Sequence, residues 1–134
     1  MLWSWDTRTG RPLAGPVEVK EDVWVKSQPD DRVLAVSTYA DSKMAYHLAD
    51  PRTLAPLSPV LLHNEVGAFH PGGQFVATAS GVLDGRARLV SFTGRTIGPP
   101  VPHPDRAHLV LFNPAGDRLL TAGVDKTLRL WAVP

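Results

Sequence analysis

The chain has 134 residues, 43% of them apolar and 20% charged, with a formal net charge of +1 and no cysteine. That is an ordinary globular composition for a single domain, which excludes a disordered chain. Near-neutral, interspersed charge leaves no basic stripe for a phosphate backbone, the missing thiols exclude disulfides and thiolate metal sites, and no apolar run approaches the roughly 20 residues of a membrane span.

Met1 to Asp6 has neither a basic flank nor a long apolar core to act as a signal, so a soluble, cytoplasmic protein without nucleic-acid or membrane partners is the expectation. Thirteen prolines and eleven glycines break every apolar 3.6-residue period before three turns are complete, which makes the chain all-β. In chain order, a partial strand over 1–6 is followed by strands at about 13–17, 23–27, 33–38, 43–48, 55–60, 66–69, 75–79, 86–91, 96–101, 108–112, 118–123 and 127–132. Between them lie turn residues such as Asn113-Pro114-Ala115-Gly116-Asp117 and Gly123-Val124-Asp125-Lys126, which close antiparallel strands. Runs such as Val33-Leu34-Ala35-Val36 and Phe75-Val76-Ala77 are apolar at consecutive positions, the mark of a sheet covered on both faces.

The strands repeat with a period of about 42 residues. Pro16-Val17, Pro59-Val60 and Pro100-Val101 share it, as do the turn prolines Pro29, Pro71 and Pro114 and the turn aspartates Asp41, Asp84 and Asp125. Four residues before each aspartate stands a hydroxyl, at Ser37, Ser80 and Thr121, and six after each stand His47, Val90 and Trp131. Several independent markers on one period define about three copies of a four-stranded unit, at 7–48, 49–91 and 92–132, within one segment covering 1–134.

Gly123-Val124-Asp125-Lys126-Thr127-Leu128-Arg129-Leu130-Trp131, preceded by Phe112-Asn113-Pro114-Ala115-Gly116-Asp117, resembles a WD40 repeat, the blade unit of a β-propeller. Trp5-Asp6 resembles the dipeptide that names the family; Val90-Ser91 stands in its place in the second unit and His47-Leu48 in the first. The resemblance implies blades of four antiparallel strands, the fourth supplied by the start of the next repeat. It also implies a structural tetrad of histidine, hydroxyl, aspartate and tryptophan. In the third unit these are His103, Thr121, Asp125 and Trp131; in the second Ser80 and Asp84 remain, with His63 as the histidine; in the first only Ser37 and Asp41 fit. The underlying physics is general, since a buried imidazole and a buried indole each need a partner for their N–H groups.

Three blades cannot close a ring that typically takes four to eight. The expected architecture is therefore an incomplete propeller: part of a longer one, half of a six-bladed dimer, or an arc completed by another chain. Trp3 and Trp5 share strand parity and point to one blade face, which needs covering.

Catalysis has little support. The closest histidine pair, His103 and His108, sits in one loop without converging metal ligands, and no Gly-x-Ser-x-Gly elbow occurs. Gly81-Val82-Leu83-Asp84-Gly85 opens a strand, so it is not a phosphate cradle on a helix. No enzyme activity and no cofactor are expected. The resemblance implies a protein-interaction platform or scaffold, or alternatively a self-assembly unit that completes a ring with itself or with other blades. Contact candidates lie in the loops entering the innermost strands: Lys20, Glu21, Trp24, Asn64, Glu65 and Arg106. Trp24 has two readings, packing between blades or an aromatic anchor for a partner.

Overall fold

The computed structural model describes residues 1–19, 22–41, 43–62, 65–79 and 85–134, with the side chains at 40, 43, 62 and 65 outside that description. The described residues form thirteen strands: β1 (Leu2–Trp5), β2 (Pro12–Val17), β3 (Asp22–Ser27), β4 (Leu34–Ala40), β5 (Lys43–Ala49), β6 (Leu61–Leu62), β7 (Glu65–Phe69), β8 (Phe75–Ala79), β9 (Ala87–Ser91), β10 (Thr96–Val101), β11 (Ala107–Phe112), β12 (Arg118–Gly123) and β13 (Leu128–Ala132). They form four separate antiparallel meanders in chain order: the hairpin β1-β2, the four-stranded sheets β3-β4-β5-β6 and β7-β8-β9-β10, and the three-stranded sheet β11-β12-β13. Two complete blades thus stand between two incomplete ones.

The turns between first and second strands repeat one geometry. Gln28 N–H donates to Val33, His70 N–H to Phe75 and Asn113 N–H to Arg118, each at the carbonyl oxygen. Inside each turn a second bond returns to the same first residue, from Asp31, Gly73 and Gly116. Those three residues have φ of 55°, 70° and 77°, the left-handed region where glycine is at ease and aspartate is tolerated. At the other recurring turn, Asp6 and Asp50 each accept two backbone N–H groups on Oδ1, from Arg8 and Thr9 and from Arg52 and Thr53, and Ser91 Oγ accepts one from Arg95. These bonds hold the Asp50 carboxyl below its ordinary value.

Structural alignment through these turns shifts the first repeat. Leu34 pairs with Ala49 as Val76 pairs with Val90 and Leu119 with Trp131. Ala49-Asp50 therefore occupies the Trp-Asp place assigned from the sequence to His47-Leu48. By the same register, Val36 and Thr78 stand where Thr121 stands, not Ser37 and Ser80. The cause is hairpin length: Thr78 opposes Arg88 and Thr121 opposes Arg129, so the second unit carries a longer connection, and a count back from the aspartate slips by two.

A further departure is the strand expected at 55–60. There the chain makes an isolated bridge, Ala49 to Pro56, and pairs again only at Leu61–Leu62. Leu57 N–H still donates to Leu48 O, but Leu48 N–H is taken by the Ser58 hydroxyl, and Pro59 has no N–H to continue the ladder.

Packing occurs along two seams between sheet faces. Ala35, Tyr46 and Leu48 of the first full sheet meet Val66, Phe69, Val76 and Val90 of the second. Ala77, Ala87 and Leu89 of the second meet Ala107, Val110 and Leu119 of the last. All five positions of β8 are buried, as its unbroken apolar run requires.

The outermost faces carry no such cover among the described residues. Trp3 and Trp5 stack at 5.7 Å between ring centroids, 44% and 54% exposed. On the last sheet Leu109, Leu111, Leu128 and Leu130 are exposed.

Candidate interaction surface

The last sheet is entered through Pro102-His103-Pro104-Asp105-Arg106, and local hydrogen bonds fix this loop. His103 N–H donates to Val101 O, Arg106 N–H donates to Asp105 Oδ1 at 2.7 Å, and Arg106 O accepts from Val124 N–H at 3.0 Å. The last of these ties the loop to the β12-β13 turn. His103 is buried with Nδ1 3.1 Å from Asp105 O and 4.0 Å from Asp125 Oδ2. A Cβ on Gly123 would stand 2.8 Å from His103 Nδ1 and 2.6 Å from Asp125 Oδ1, so only glycine lets the imidazole and the carboxylate approach the strand this closely.

Asp125 accepts the Thr127 N–H at 3.1 Å and its hydroxyl at 2.8 Å. Burial alone would raise its carboxyl, but these bonds, with His103 and Arg129 nearby, hold it below its ordinary value. Trp131 Nε1 donates to Thr121 Oγ1 at 2.9 Å, across paired strands and in the interior. The four residues read from the sequence as a tetrad thus gather at the last sheet as two pairs, Asp125 with His103 in the loop and turn and Trp131 with Thr121 across paired strands. The His103 Nε2 is buried and has no hydrogen-bond partner among the described residues.

Other sequence-derived candidates fall differently. His63, Ser80 and Asp84 lie outside the described residues, as do Lys20, Glu21 and Asn64. Ser37 is buried in β4, and Asp41 sits at the β4-β5 turn with φ of 46°. Glu65 begins β7, with only its backbone described. Trp24 stands on β3 opposite Ser37 and is 45% exposed. Arg106 is exposed at the head of β11. Trp24 lies within β3 and Arg106 just ahead of β11, two strands that hold equivalent places in their meanders.

Two features were missed by reading the sequence. A cleft of about 660 Å³ opens between the N-terminal hairpin and the turns of the next sheet, lined by Trp5, Leu13, Asp31 and Arg52 among others. The second is a set of grips between blades. The Gln28 amide lies against Gly73 of the following turn, and the His70 Nε2 is 3.1 Å from Gly116 O of the one after. His70 Nδ1 accepts the Gly72 N–H at 3.0 Å, which leaves Nε2 as the donor, and its ring stacks on Phe75 at 4.2 Å and meets Phe112 edge-on. The signal was present, since Gln28, His70 and Asn113 each precede a turn proline of the repeat.

Residues 103–132, which hold both pairs, match the family model described as WD domain, G-beta repeat. That stretch is similar to a WD40 repeat. The whole chain superposes on part of WD40 β-propellers, and its fold is that of a partial propeller. Against the Cps50 (Swd1) β-propeller domain of Myceliophteria thermophila the TM-score is 0.72 at 15% identity, covering 97% of this chain and 46% of that one. Against a chain of the mitotic checkpoint complex it is 0.73 at 21% identity, covering 96% of this chain and 41% of that one. The chain therefore spans less than half the length of either structure. None of the curated proteins matches its sequence.

Proposed function

We propose that this WD40 segment is a non-catalytic protein-interaction platform whose contact surface carries Trp24 and Arg106. The observation that carries the reading is Trp24, a large aromatic left half-exposed on an innermost strand while neighbouring blades are sealed by alanine and valine. A rigid, partly desolvated aromatic is the side chain most often found at the centre of a binding hot spot. Lys20, Glu21, Asn64 and Glu65 complete the proposed surface, whose mixed charge favours a specific partner over a repetitive polyanion. The appearance of a similar chain in a multiprotein checkpoint assembly agrees with this role.

The test is affinity capture of partners from native cells, then a binding titration with the triple variant Lys20→Ala, Trp24→Ala, Arg106→Ala. Weakened binding at an unchanged melting temperature supports the surface; unchanged affinity discards it.

A further inference from the structure

Building on the platform reading, we propose that the strip where the head of β9, the loop before β11 and the β12-β13 turn meet receives an acidic segment of a protein partner. Carboxylates of that segment pair with Arg106 and Lys126.

Backbone bonds hold the three segments together. Ala107 N–H donates to Gly85 O at 2.8 Å and Val124 N–H donates to Arg106 O at 3.0 Å, so Arg106 is clamped between the second full sheet and the turn of the last one. Gly85 makes this approach possible. Its φ is 67°, and a Cβ there would stand 2.9 Å from Arg106 Cα and 3.0 Å from its Cβ and Cγ. The stem of Arg106 therefore lies over Gly85, with Arg86 next in the chain, and a fixed base carries the exposed guanidinium.

Cations outnumber acids along the strip. Arg86, Arg106 and Lys126 are exposed, and Arg88 and Arg129 follow half-buried on β9 and β13, against Asp84, Asp105 and Asp125 in the sequence. Two of these carboxylates are already engaged: Asp105 Oδ1 accepts the Arg106 N–H at 2.7 Å, and Asp125 accepts the Thr127 N–H and hydroxyl. Neither the Arg106 guanidinium nor the Lys126 ammonium has an ion pair or hydrogen bond among the described residues. Lys126 is telling for a second reason. Its N–H donates to Gly123 O at 3.1 Å and its φ is 64°, a left-handed turn position that glycine fills at less cost. Local folding gains nothing from an ammonium at that place, and backbone strain of this sort gathers where a side chain is used for binding.

A peptide suits the pattern better than a nucleic acid does. Asp105 and Asp125 interrupt the cations, so an evenly charged phosphate backbone would meet both signs, and a net charge of +1 supplies no wider basic field. Spaced aspartates or glutamates on a peptide can reach the cations while its N–H groups pass the carboxylates.

The experiment selects binders to the intact chain from a random peptide library. Enriched sequences should carry an excess of aspartate and glutamate. The best of them should lose at least about tenfold in affinity in the double variant Arg106→Glu, Lys126→Glu, and should weaken as salt is raised. Lys126→Asn suits the left-handed turn and removes only the charge, so it should weaken binding several-fold at an unchanged melting temperature. Arg95→Glu, at an exposed position past the other end of β9, should leave affinity unchanged. Each variant is compared with the parent by circular dichroism before binding is read. Enrichment of apolar or basic peptides, acidic binders that survive both charge reversals, or tighter binding of a short RNA than of the selected peptide would each overturn the assignment. Trp24→Ala separates it from the platform itself. A captured partner lost with Trp24→Ala yet indifferent to Arg106→Glu, Lys126→Glu overturns the acidic strip and leaves the platform standing, whereas indifference to all three substitutions overturns both.

Discussion

Replacing Gly67 tests how closely the seam between the second full sheet and the last sheet depends on one missing side chain. In an open strand, glycine to alanine gains about 0.5–1 kcal/mol from reduced backbone freedom. At Gly67 the new Cβ would overlap Val110 Cγ2, with Val110 Cβ at 3.5 Å and the Ala77 carbonyl oxygen at 3.4 Å. Val110 is fully buried in one cluster with Phe75, Ala77 and Leu119. On the other side the Lys26 ammonium donates to the Gly67 carbonyl, which pins the strand from moving away. Overpacking costs about 1–3 kcal/mol, which exceeds the backbone gain, so Gly67→Ala should destabilise by about 1–2 kcal/mol and lower Tm by roughly 4–8 °C. Val110→Ala alone removes two buried methyls at about 0.8 kcal/mol each and leaves a void, for about 2–3 kcal/mol in all. In the double variant the added methyl enters the vacated volume, and the loss should fall short of the sum by about 1 kcal/mol or more. Urea titration of all four proteins at one concentration measures this. Additivity within about 0.5 kcal/mol, or a Gly67→Ala variant as stable as the parent, would refute the account of how β7 meets β11.

Two other predictions concern buried polar groups. Burial pushes the Tyr46 phenol up to about 12, and its hydroxyl has no hydrogen-bond partner among the described residues. The unfolded chain ionises near pH 10 while the folded one does not, so this contribution is intact below about pH 10 and is lost as pH rises toward 12. Tyr46→Phe should match or exceed the parent in Tm at pH 8 and gain on it steadily above pH 10; parallel melting curves across that range would count against the burial argument. Trp131→Phe strips the donor from Thr121 Oγ1 in the interior and should cost about 1–3 kcal/mol, part of which Thr121→Val in the same chain restores. Strictly additive losses in that pair would show that the indole and the hydroxyl act independently.

Most strands could be located from the sequence because turn chemistry is local. Pro29, Pro71 and Pro114 with their neighbours build the same hydrogen-bonded loop three times, and residues of that kind announce themselves one turn at a time. Alignment between strands was harder, because it depends on hairpin length. Counting from Asp84 placed the hydroxyl on Ser80, whereas the pairing of Thr78 with Arg88 moves it to Thr78. The stretch around Pro56 to Val60 misled for a related reason, since a serine hydroxyl replaced a backbone acceptor there and a proline withheld a donor. The exposure of Trp24 depends on what faces it across the arc, which no periodicity within one repeat encodes. The pairing of Trp131 with Thr121 was legible because both positions belong to one repeat and its motif; the grip of His70 on Gly116 was not, because it joins two.

That grip has a direction. Each unit reaches forward, from the residue ahead of its turn proline to the left-handed residue of the next turn, and Gly73 and Gly116 receive what Gln28 and His70 extend. In the last turn Asn113 folds its amide back onto Asp117 at 2.7 Å, with its oxygen accepting from Arg118. A tandem duplication of any one unit would copy both the reaching residue and the receiving one, so the new junction would arrive already matched. Arcs of this kind can lengthen by whole units through gene duplication without redesign of the joint, whereas a one-residue deletion inside a turn would unhook two units at once.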